Sequence, residues 1–451
     1  ISYKDGKGFD EKITTRSLHI PYVNNGSATF SINGIASIGE TLSITEKTPD
    51  PDGTGTHSYS WQTSKDGKNW KEVSIDSSYL IAASEEGKSI KAVISYKDDQ
   101  GFDEKVNTPL KIINTFSKTL TGRPLSGSFS RGENYRFYEG YGGNTAIEDF
   151  NLIDLKGDNQ IKAINEVTSE NYYYSFAISK SSLRTGHGND SYEIKNSKGY
   201  YGIGLHNSSI YSSEGNDSIS IELNEVDFVY GLSALEGSSI DTGSGNDKVS
   251  IKLQSSRDDA FSTQAINSSS LITGSGDDEI FIEQKNSSNN INVYISGPNS
   301  SSSTFDFGDG NDTAEFISDG YGLKSGLNAA HKIYLGDGSD NLKIDSKLSS
   351  LSNAYLYGGD GDDNVNLSSS KEFYYAIENS KIYLDSGNDI LTISSSNNSI
   401  VYGGSGSDEV ILPGNYEEYL LTRSSNNFNL KKANDGFFSL EGQSIEKITF
   451  K

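Results

Sequence analysis

A glycine-rich strip that ends its turn on an aspartate occurs in nine copies between Leu183 and Leu412. It reads IDTGSGNDKVSI from Ile240 to Ile251, and the other copies are LRTGHGNDSYEI, IYSSEGNDSISI, LITGSGDDEIFI, FDFGDGNDTAEF, IYLGDGSDNLKI, LYGGDGDDNVNL, IYLDSGNDILTI and VYGGSGSDEVIL. Successive turn aspartates are separated by 27, 30, 31, 34, 28, 23, 26 and 19 residues. These irregular intervals predict a solenoid, in which each copy supplies one coil and the loops vary in length.

The apolar residues around each aspartate predict two strands joined by a tight turn. All nine aspartates have an apolar residue seven positions before and four positions after, and eight also have a sizeable one two positions after, Ala314 being the exception. Apolar residues at alternate positions predict a strand with one buried face. The glycines between the strands permit positive φ angles, so each copy is a predicted strand-turn-strand corner.

Stacked corners predict a metal site shared between neighbouring coils. At the sheet spacing of about 4.8 Å the aspartates form a column of like charges. A hard cation between successive corners offsets that repulsion, and carboxylate and peptide oxygens are the ligands that Ca²⁺ prefers. Nine corners leave 9 − 1 = 8 gaps, which predicts about eight Ca²⁺ ions. The candidate residues are Gly186, Gly188, Asp190, Gly215, Asp217, Gly243, Gly245, Asp247, Gly274, Gly276, Asp278, Gly308, Gly310, Asp312, Gly336, Gly338, Asp340, Gly359, Gly361, Asp363, Gly387, Asp389, Gly404, Gly406 and Asp408.

These corners resemble the RTX, or haemolysin-type, calcium-binding repeat GGxGxDxUx, most closely in YGGDGDDNVNL and YGGSGSDEVIL. The resemblance implies a parallel β-roll that is disordered without calcium and folds on meeting it outside the cell, commonly after type 1 secretion by a Gram-negative bacterium. Only Gly358 and Gly403 fill the first glycine of the motif. Ser213 and Asp385 replace the second glycine, so we expect weaker binding at those two turns. Since only one side of each coil carries such turns, one row of calcium is expected.

The front of the chain contains a second, longer repeat. ISYKDGKGFDEKITT at Ile1–Thr15 returns as ISYKDDQGFDEKVNT at Ile94–Thr108, an offset of 93 residues. Such self-similarity indicates a module of which the first copy is only a tail. Short alternating runs such as YSWQTS and SIKAVISY, separated by turn signals, predict an immunoglobulin-like sandwich with Trp61 in its core. This module is similar to ones found in tandem in large cyanobacterial surface proteins.

The patterns together predict an all-β protein in five parts. We expect the tail of a preceding immunoglobulin-like repeat at 1–15, a linker and an immunoglobulin-like domain at 16–113, and an N-terminal solenoid cap at 114–182. The calcium-binding β-solenoid follows at 183–412 and a C-terminal cap at 413–451. A degenerate corner around Gly157 to Asn159 belongs to the first cap.

Composition limits the partners of the chain. With 62 acidic against 38 basic side chains the formal charge is −24, which disfavours nucleic acid and anionic membranes and favours cations. The absence of cysteine excludes disulfides. No apolar run is long enough to cross a membrane. Because no signal peptide or initiator methionine is visible, we expect the sequence to be a piece of a longer protein.

No catalytic motif is recognisable in the sequence. The five histidines are scattered and form neither an HExxH zinc site nor a partner set for a GxSxG nucleophile: His19, His57, His187, His206 and His331. We therefore expect a non-enzymatic, extracellular cell-surface protein, part of an S-layer-like layer, a filament or an adhesin, whose partners are calcium, other copies of itself or surface glycans. The alternative is a secreted enzyme or carbohydrate-binding protein with a secretion solenoid. Tyrosines at 172–174, 200–201 and 374–375 would then be sugar-stacking platforms, although stacking between coils is the simpler interpretation.

Overall fold

The computed structural model describes residues 1–18, 21–113, 118–130, 135–142, 144–165, 174–197, 201–224, 231–255, 262–286, 293–298, 301–326, 330–425, 427–433 and 435–451. The chain forms two compact units, Ile1–Ile81 with Glu85–Thr115, and Ala82–Ser84 with Phe116–Lys451. The described residues contain strands and two short 3₁₀ turns, at Ala83–Glu85 and Tyr416–Glu418, and no α-helix. None of this part of the chain forms a helix long and apolar enough to cross a membrane.

The first unit is built from antiparallel strands. These are β1 (Ser2–Lys4), β2 (Asp10–Lys12), β3 (Thr29–Asn33), β4 (Thr41–Thr48), β5 (Ser58–Ser64), β6 (Lys71–Ser74), β7 (Ser78–Leu80), β8 (Ser89–Lys97), β9 (Asp103–Asn107) and β10 (Lys111–Ile112). β1 and β2 form a hairpin, β3-β4-β7 form one sheet, and β10-β8-β5-β6 form another in which β9 also pairs with β8. Trp61 is fully buried and packs against Tyr79, so its predicted place in a core is confirmed.

The second unit contains thirty-seven strands. The first of them are β11 (Lys118–Gly122), β12 (Leu125–Ser130), β13 (Tyr135–Gly142), β14 (Thr145–Lys156), β15 (Gln160–Asn165), β16 (Tyr174–Ser179), β17 (Ser182–His187), β18 (Ser191–Asn196), β19 (Tyr201–His206), β20 (Ser209–Tyr211), β21 (Ser218–Asn224), β22 (Gly231–Glu236), β23 (Ser239–Asp241), β24 (Lys248–Ser255), β25 (Ser262–Asn267), β26 (Ser270–Ile272), β27 (Glu279–Asn286), β28 (Val293–Ser296) and β29 (Thr304–Asp306). The remainder are β30 (Thr313–Ser318), β31 (Tyr321–Lys324), β32 (Lys332–Asp337), β33 (Asn341–Ser346), β34 (Leu351–Ser352), β35 (Tyr355–Asp360), β36 (Asn364–Ser369), β37 (Ile377–Glu378), β38 (Lys381–Gly387), β39 (Ile390–Ile393), β40 (Ser396–Asn397), β41 (Ser399–Tyr402), β42 (Ser405–Gly406), β43 (Glu409–Leu412), β44 (Tyr419–Ser424), β45 (Asn427–Lys432), β46 (Asp435–Gln443) and β47 (Lys447–Phe450).

These strands wind into a parallel solenoid, as the repeat predicts. Thirteen strands form one parallel sheet, in the order β11-β13-β15-β18-β21-β24-β27-β30-β33-β36-β39-β43-β47. The other twenty-four strands form a second sheet. A typical coil runs through β19, a bend, β20, the glycine-aspartate turn and then β21, and each of these strands pairs in parallel with its counterpart in the next coil.

The apolar ladder predicted around each aspartate fills the inside of the coils. In all nine copies the residues seven positions before, two after and four after the aspartate are at most 1% exposed. The small Ala314 is no exception, because Phe305, Phe307 and Phe316 of the same coil are also buried and their rings contact one another. Burial of this ladder is the main stabilising contribution to the solenoid interior.

The two ends of the solenoid differ. At the front, the stretch interpreted as a cap already belongs to the parallel sheets, since β11 pairs with β13 and β13 with β15. At the back, β44, β45 and β46 form an antiparallel meander, while β46 and β47 pair in parallel with β41 and β43 of the last coil. The antiparallel strands therefore cover the last coil.

Candidate metal centre

Glycine is required in the turns because successive coils approach closely there. A Cβ on Gly245 would lie 1.8 Å from the carbonyl oxygen of Gly215, and the same collision recurs along the turns. The second motif glycine has a φ between 90° and 111° in six copies, a region that L-residues rarely occupy. Ser213 and Asp385 adopt φ values of 75° and 67° at this position, so both take up the glycine conformation with backbone strain.

The first corner differs from the others. Gly186 does not have a positive φ. Around this position Thr185 and His187 of β17 pair with β14, and a Cβ on Gly186 would meet the backbone of Leu155. The first corner thus also packs closely on the degenerate corner before it, although its backbone conformation differs from that of the later turns.

The nine turn aspartates form a continuous column, which we call the aspartate column. The eight carboxylates after Asp190 each accept a hydrogen bond through Oδ1 from the backbone N–H of the aspartate one coil earlier. The N···O distances are 2.7 to 3.1 Å from Asp190 to Asp408. All nine side chains are at most 2% exposed. The column that the repeat predicts is thus present, and one oxygen of each carboxylate binds the backbone of the preceding coil.

The second oxygen of each carboxylate, Oδ2, makes no hydrogen bond. The Oδ2 atoms of all nine aspartates are buried and have no hydrogen-bond partner: those of Asp190, Asp217, Asp247, Asp278, Asp312, Asp340, Asp363, Asp389 and Asp408. A buried, unpaired carboxylate oxygen is costly, because water no longer solvates the charge. Nine such atoms in one column are stabilised only by bound cations or by protonation of the carboxylates.

Burial raises the pKa of the column carboxyls. Loss of solvation raises the pKa of Asp190, Asp312 and Asp389 to about 7 and that of Asp217 and Asp363 to about 8. The pKa of Asp278 and Asp340 rises to about 6 for the same reason. Burial also raises the pKa of Asp247 and Asp408. Neighbouring aspartates add to the rise at several positions, whereas the backbone N–H on Oδ1 opposes it. The hydroxyls of four neighbouring residues also lower the pKa of the carboxyl in their own coil: Thr185, Ser212, Thr242 and Thr273.

The turn carbonyls expected to join the carboxylates as ligands already make hydrogen bonds between coils. The N–H of Ser275 donates to the carbonyl of Gly243 at 2.8 Å, and that of Asp309 donates to the carbonyl of Gly274 at 2.7 Å. A carbonyl oxygen has a second lone pair, so these bonds leave one ligand position on each. The preformed donors are therefore the Oδ2 atoms, all of them hard oxygen ligands that fit Ca²⁺ better than a soft metal.

The two ends of the column are formed by Asn159, in the degenerate corner expected from the sequence, and by Glu446, which the sequence analysis did not identify. Asn159, fully buried in the degenerate corner, donates its N–H to Asp190 Oδ1 at 2.7 Å, so a neutral amide precedes the first carboxylate. At the other end the N–H of Asp408 donates to Glu446 Oε2 at 2.9 Å, which adds a tenth carboxylate. The signal for Glu446 is weak, because it lies 38 residues beyond Asp408 in a segment without the glycine motif.

A second side-chain row lies at the other bend of the coil, nine positions before each aspartate. We call it the serine row; its members are Ser181, Ser208, Ser238, Ser269, Ser303, His331, Ala354, Ser380 and Ser399. Ser238 Oγ accepts the N–H of Ser208 at 3.1 Å and donates to the carbonyl of Glu236 at 2.9 Å. His331 substitutes for the hydroxyl, since its Nδ1 accepts the N–H of Ser303 at 3.1 Å.

Where the structure describes them, the clustered tyrosines stack between coils. The Tyr174 and Tyr201 rings lie 5.2 Å apart, and the Tyr374 ring packs edge-on against Tyr321. Tyr172, Tyr173 and Tyr200 lie outside the described residues, as does His19. A longer stack, not anticipated from the sequence, joins four coils with centroid distances of 4.6 to 5.1 Å: Tyr334, Tyr357, Tyr383 and Tyr402.

Comparison with known proteins adds no relative. No protein-family model matches the chain, and no curated protein matches it. The metal assignment therefore depends on the geometry and chemistry of the aspartate column.

Proposed function

We propose that the protein is an extracellular structural protein whose solenoid folds and stiffens by binding Ca²⁺ between successive glycine-aspartate turns. In this proposal the solenoid is of the RTX type and the first unit is an immunoglobulin-like spacer. The whole belongs to a surface layer, a filament or an adhesin. The observation that carries the proposal is the set of nine buried Oδ2 atoms without hydrogen-bond partners.

Charge supports a cation over other ways of satisfying these oxygens. Two carboxylates about 5 Å apart repel by roughly 3 kcal/mol at an effective dielectric constant of about 20. Protonation removes this repulsion, but a pKa of about 6 leaves Asp278 and Asp340 mostly charged in neutral solution, and a pKa of about 7 leaves Asp312 about half charged. A divalent cation between two coils offsets both neighbours at once, and eight of them add +16 to a formal charge of −24.

The structural role follows from coupling metal binding to coil stacking. Each proposed site takes ligands from two coils, so the site exists only when the coils are stacked. Calcium binding then contributes directly to folding. Calcium modules with dissociation constants of roughly 10⁻⁴ to 10⁻³ M are filled outside cells, where the free ion is abundant, and this supports the extracellular location.

The test is a Ca²⁺ titration of metal-stripped protein, followed by circular dichroism of the β-sheet signal and by sedimentation. We expect a cooperative gain of sheet with about eight ions bound and a midpoint of roughly 10⁻⁴ to 10⁻³ M. Mg²⁺, which demands a tighter octahedral shell, serves as the matched control and is expected to act more weakly. Growth of the sedimenting species in the same calcium range would favour self-assembly as the surface role. A metal-stripped protein that is fully folded and binds no calcium would refute the proposal.

A further inference from the structure

Three buried carboxylates meet in the first unit, far in sequence from the aspartate column. Asp50 and Asp52 lie in the turn after β4, and Asp98 follows β8. Their side chains are 4%, 8% and 4% exposed. One carboxylate oxygen of each lies within 4.8 Å of the others, the convergence that a shared cation requires. None of the ion pairs formed by the described residues includes any of the three.

The two loops that bring these residues together are tied by backbone contacts. The N–H of Gly55 donates to the carbonyl of Lys97 at 3.1 Å, and that of Asp99 donates to the carbonyl of Asp52 at 3.3 Å. Asp52 accepts hydrogen bonds on both oxygens, from the N–H and side-chain amide of Asn25 and from the amide of Gln100. The carboxylates are thus held together by their loops, although they carry like charges.

Asp98 supplies the oxygen that nothing in the cluster satisfies. Its Oδ1 accepts the N–H groups of Gln100 at 2.9 Å and Phe102 at 2.8 Å, which shapes the turn between β8 and β9. Its Oδ2 is buried and has no hydrogen-bond partner, and neither has the amide oxygen of Gln100, whose nitrogen binds Asp52. An unpaired buried carboxylate oxygen next to two further carboxylates is the arrangement expected of a cation ligand.

We propose that Asp50, Asp52 and Asp98 bind one hard divalent cation of the Ca²⁺ class, which fastens the loop after β4 to the turn after β8. All three donors are oxygens, which excludes a preference for soft metals. Water and loop carbonyls complete the shell. The site belongs to the first unit alone and is independent of the function proposed for the solenoid.

The 93-residue repeat contains a second copy of the Asp98 turn, at Asp5. Asp5 corresponds to Asp98, and its Oδ1 likewise accepts the N–H groups two and four residues on, at 2.9 and 3.0 Å. This turn lies in the exposed β1-β2 hairpin. Among the described residues, the Asp5 turn therefore has the geometry of the Asp98 turn, but no pair of carboxylates converges on it.

Both tryptophans of the chain, Trp61 and Trp70, belong to the first unit, so tryptophan fluorescence reports the unfolding of that unit alone. We would melt the full chain in chelator, in Ca²⁺ and in Mg²⁺, as wild type, Asp98→Asn and Asp5→Asn. Saturating cation is expected to raise the wild-type midpoint by on the order of 10 °C. Asp98→Asn should lose this shift, since asparagine keeps the Oδ1 acceptor but removes the charge. Asp5→Asn is the matched control and should retain the shift in full.

The sign of the effect in chelator separates a ligand from a purely structural residue. Without cation, Asp98→Asn removes repulsion among three buried carboxylates, so its midpoint should equal or exceed that of the wild type. A wild-type midpoint unmoved by either cation, an undiminished shift in Asp98→Asn, or a variant that is unfolded in chelator where the wild type is folded would each overturn the proposal. Asp50→Asn is the second variant and should lose the shift as Asp98→Asn does. The sheet signal of the solenoid responds separately, so failure of one site leaves the other tested.

Discussion

The two bends of each coil meet the same hydrogen-bonding need with different side chains. At the serine row, the Ser238 hydroxyl accepts a hydrogen bond from an N–H of the previous coil and donates one to a carbonyl, so both of its hydrogen-bonding functions are used. At the aspartate column, Asp247 accepts the N–H of Asp217 at 2.7 Å, but its other oxygen has no partner. Six serines of the row satisfy both functions in this way, although Ser303 Oγ has no partner and Ala354 has no hydroxyl, whereas all nine aspartates leave a carboxylate oxygen without a hydrogen bond. An uncharged hydroxyl can therefore satisfy the backbone at a bend of this coil, yet the glycine turns have a carboxylate at the corresponding place.

The largest expected effect is a pH dependence confined to the aspartate column. Because burial raises the folded-state pKa of Asp312 to about 7 and that of Asp363 to about 8, the metal-free solenoid binds more protons than its unfolded chain between pH 4 and these values. Its stability is therefore full below about pH 4 and falls as pH rises through 6 to 8, by about 1.4 kcal/mol per unit of pKa shift for each carboxyl. We expect metal-stripped protein to keep its sheet signal at pH 5 and lose it at pH 8. Urea unfolding followed by circular dichroism measures this.

Saturating Ca²⁺ should reverse the sign of that pH dependence. Metal ligands must be deprotonated, so acid competes with the ion and the calcium-loaded solenoid should be more stable at pH 8 than at pH 5. The serine row contains no carboxyl group, and burial lowers the pKa of its one histidine, His331. Equal stability of metal-stripped protein at both pH values would show that the column carries no buried charge.

The next effect compares one member of each row in the same coil. Asp278→Asn keeps an Oδ1 acceptor for Asp247 but removes a ligand from two gaps, so in saturating Ca²⁺ we expect a loss of about 3 kcal/mol in the free energy of unfolding. Without metal the same change should stabilise, because it removes a buried charge. Ser269→Ala leaves the N–H of Ser238 unpaired and should cost about 1 to 3 kcal/mol with or without calcium. Denaturant unfolding of both variants in calcium and in chelator decides the matter. A calcium-independent loss in Asp278→Asn would make the two rows equivalent.

The smallest expected effect concerns backbone strain at the two bends. Asp385 stands where seven corners have glycine, with a φ of 67°, and burial raises the pKa of its carboxyl. Asp385→Gly should stabilise the solenoid by about 1 to 2 kcal/mol, because it removes the left-handed strain and a partly buried charge. Asn379→Gly is the control at the serine row: asparagine tolerates its φ of 47°, so we expect a change within about 0.5 kcal/mol. Thermal unfolding in calcium measures both, and destabilisation by Asp385→Gly would contradict this account.

What could be predicted from the sequence was what repeats locally. The alternating apolar positions around each aspartate predict strands whose buried face is read directly, and those positions are buried in all nine copies. The serine row was accessible in principle, because serine stands nine positions before the aspartate in seven copies. It was hidden by His331 and Ala354 and by the many other serines in the chain.

Contacts between distant, unrepeated segments were not predictable. Glu446 reaches the column from the closing segment, and Asp98 meets Asp50 across 48 residues. No local pattern specifies either pairing, since each depends on how strands register in three dimensions. The same holds for the use of each aspartate: the repeat places the carboxylates in a column, but only the packed coils determine which oxygen binds an N–H and which is left without a partner.

The nine-residue offset between the serine row and the aspartate column has a consequence for how such a chain can vary. From one aspartate to the next serine-row residue the distance ranges from 408 − 9 − 389 = 10 to 312 − 9 − 278 = 25 residues, whereas the return distance never changes. The segment of each coil from the serine row to the aspartate column thus has a fixed length. All differences in length fall in the segment from the aspartate to the next serine-row residue. Segments can be lengthened or exchanged there without altering the distance between neighbouring carboxylates.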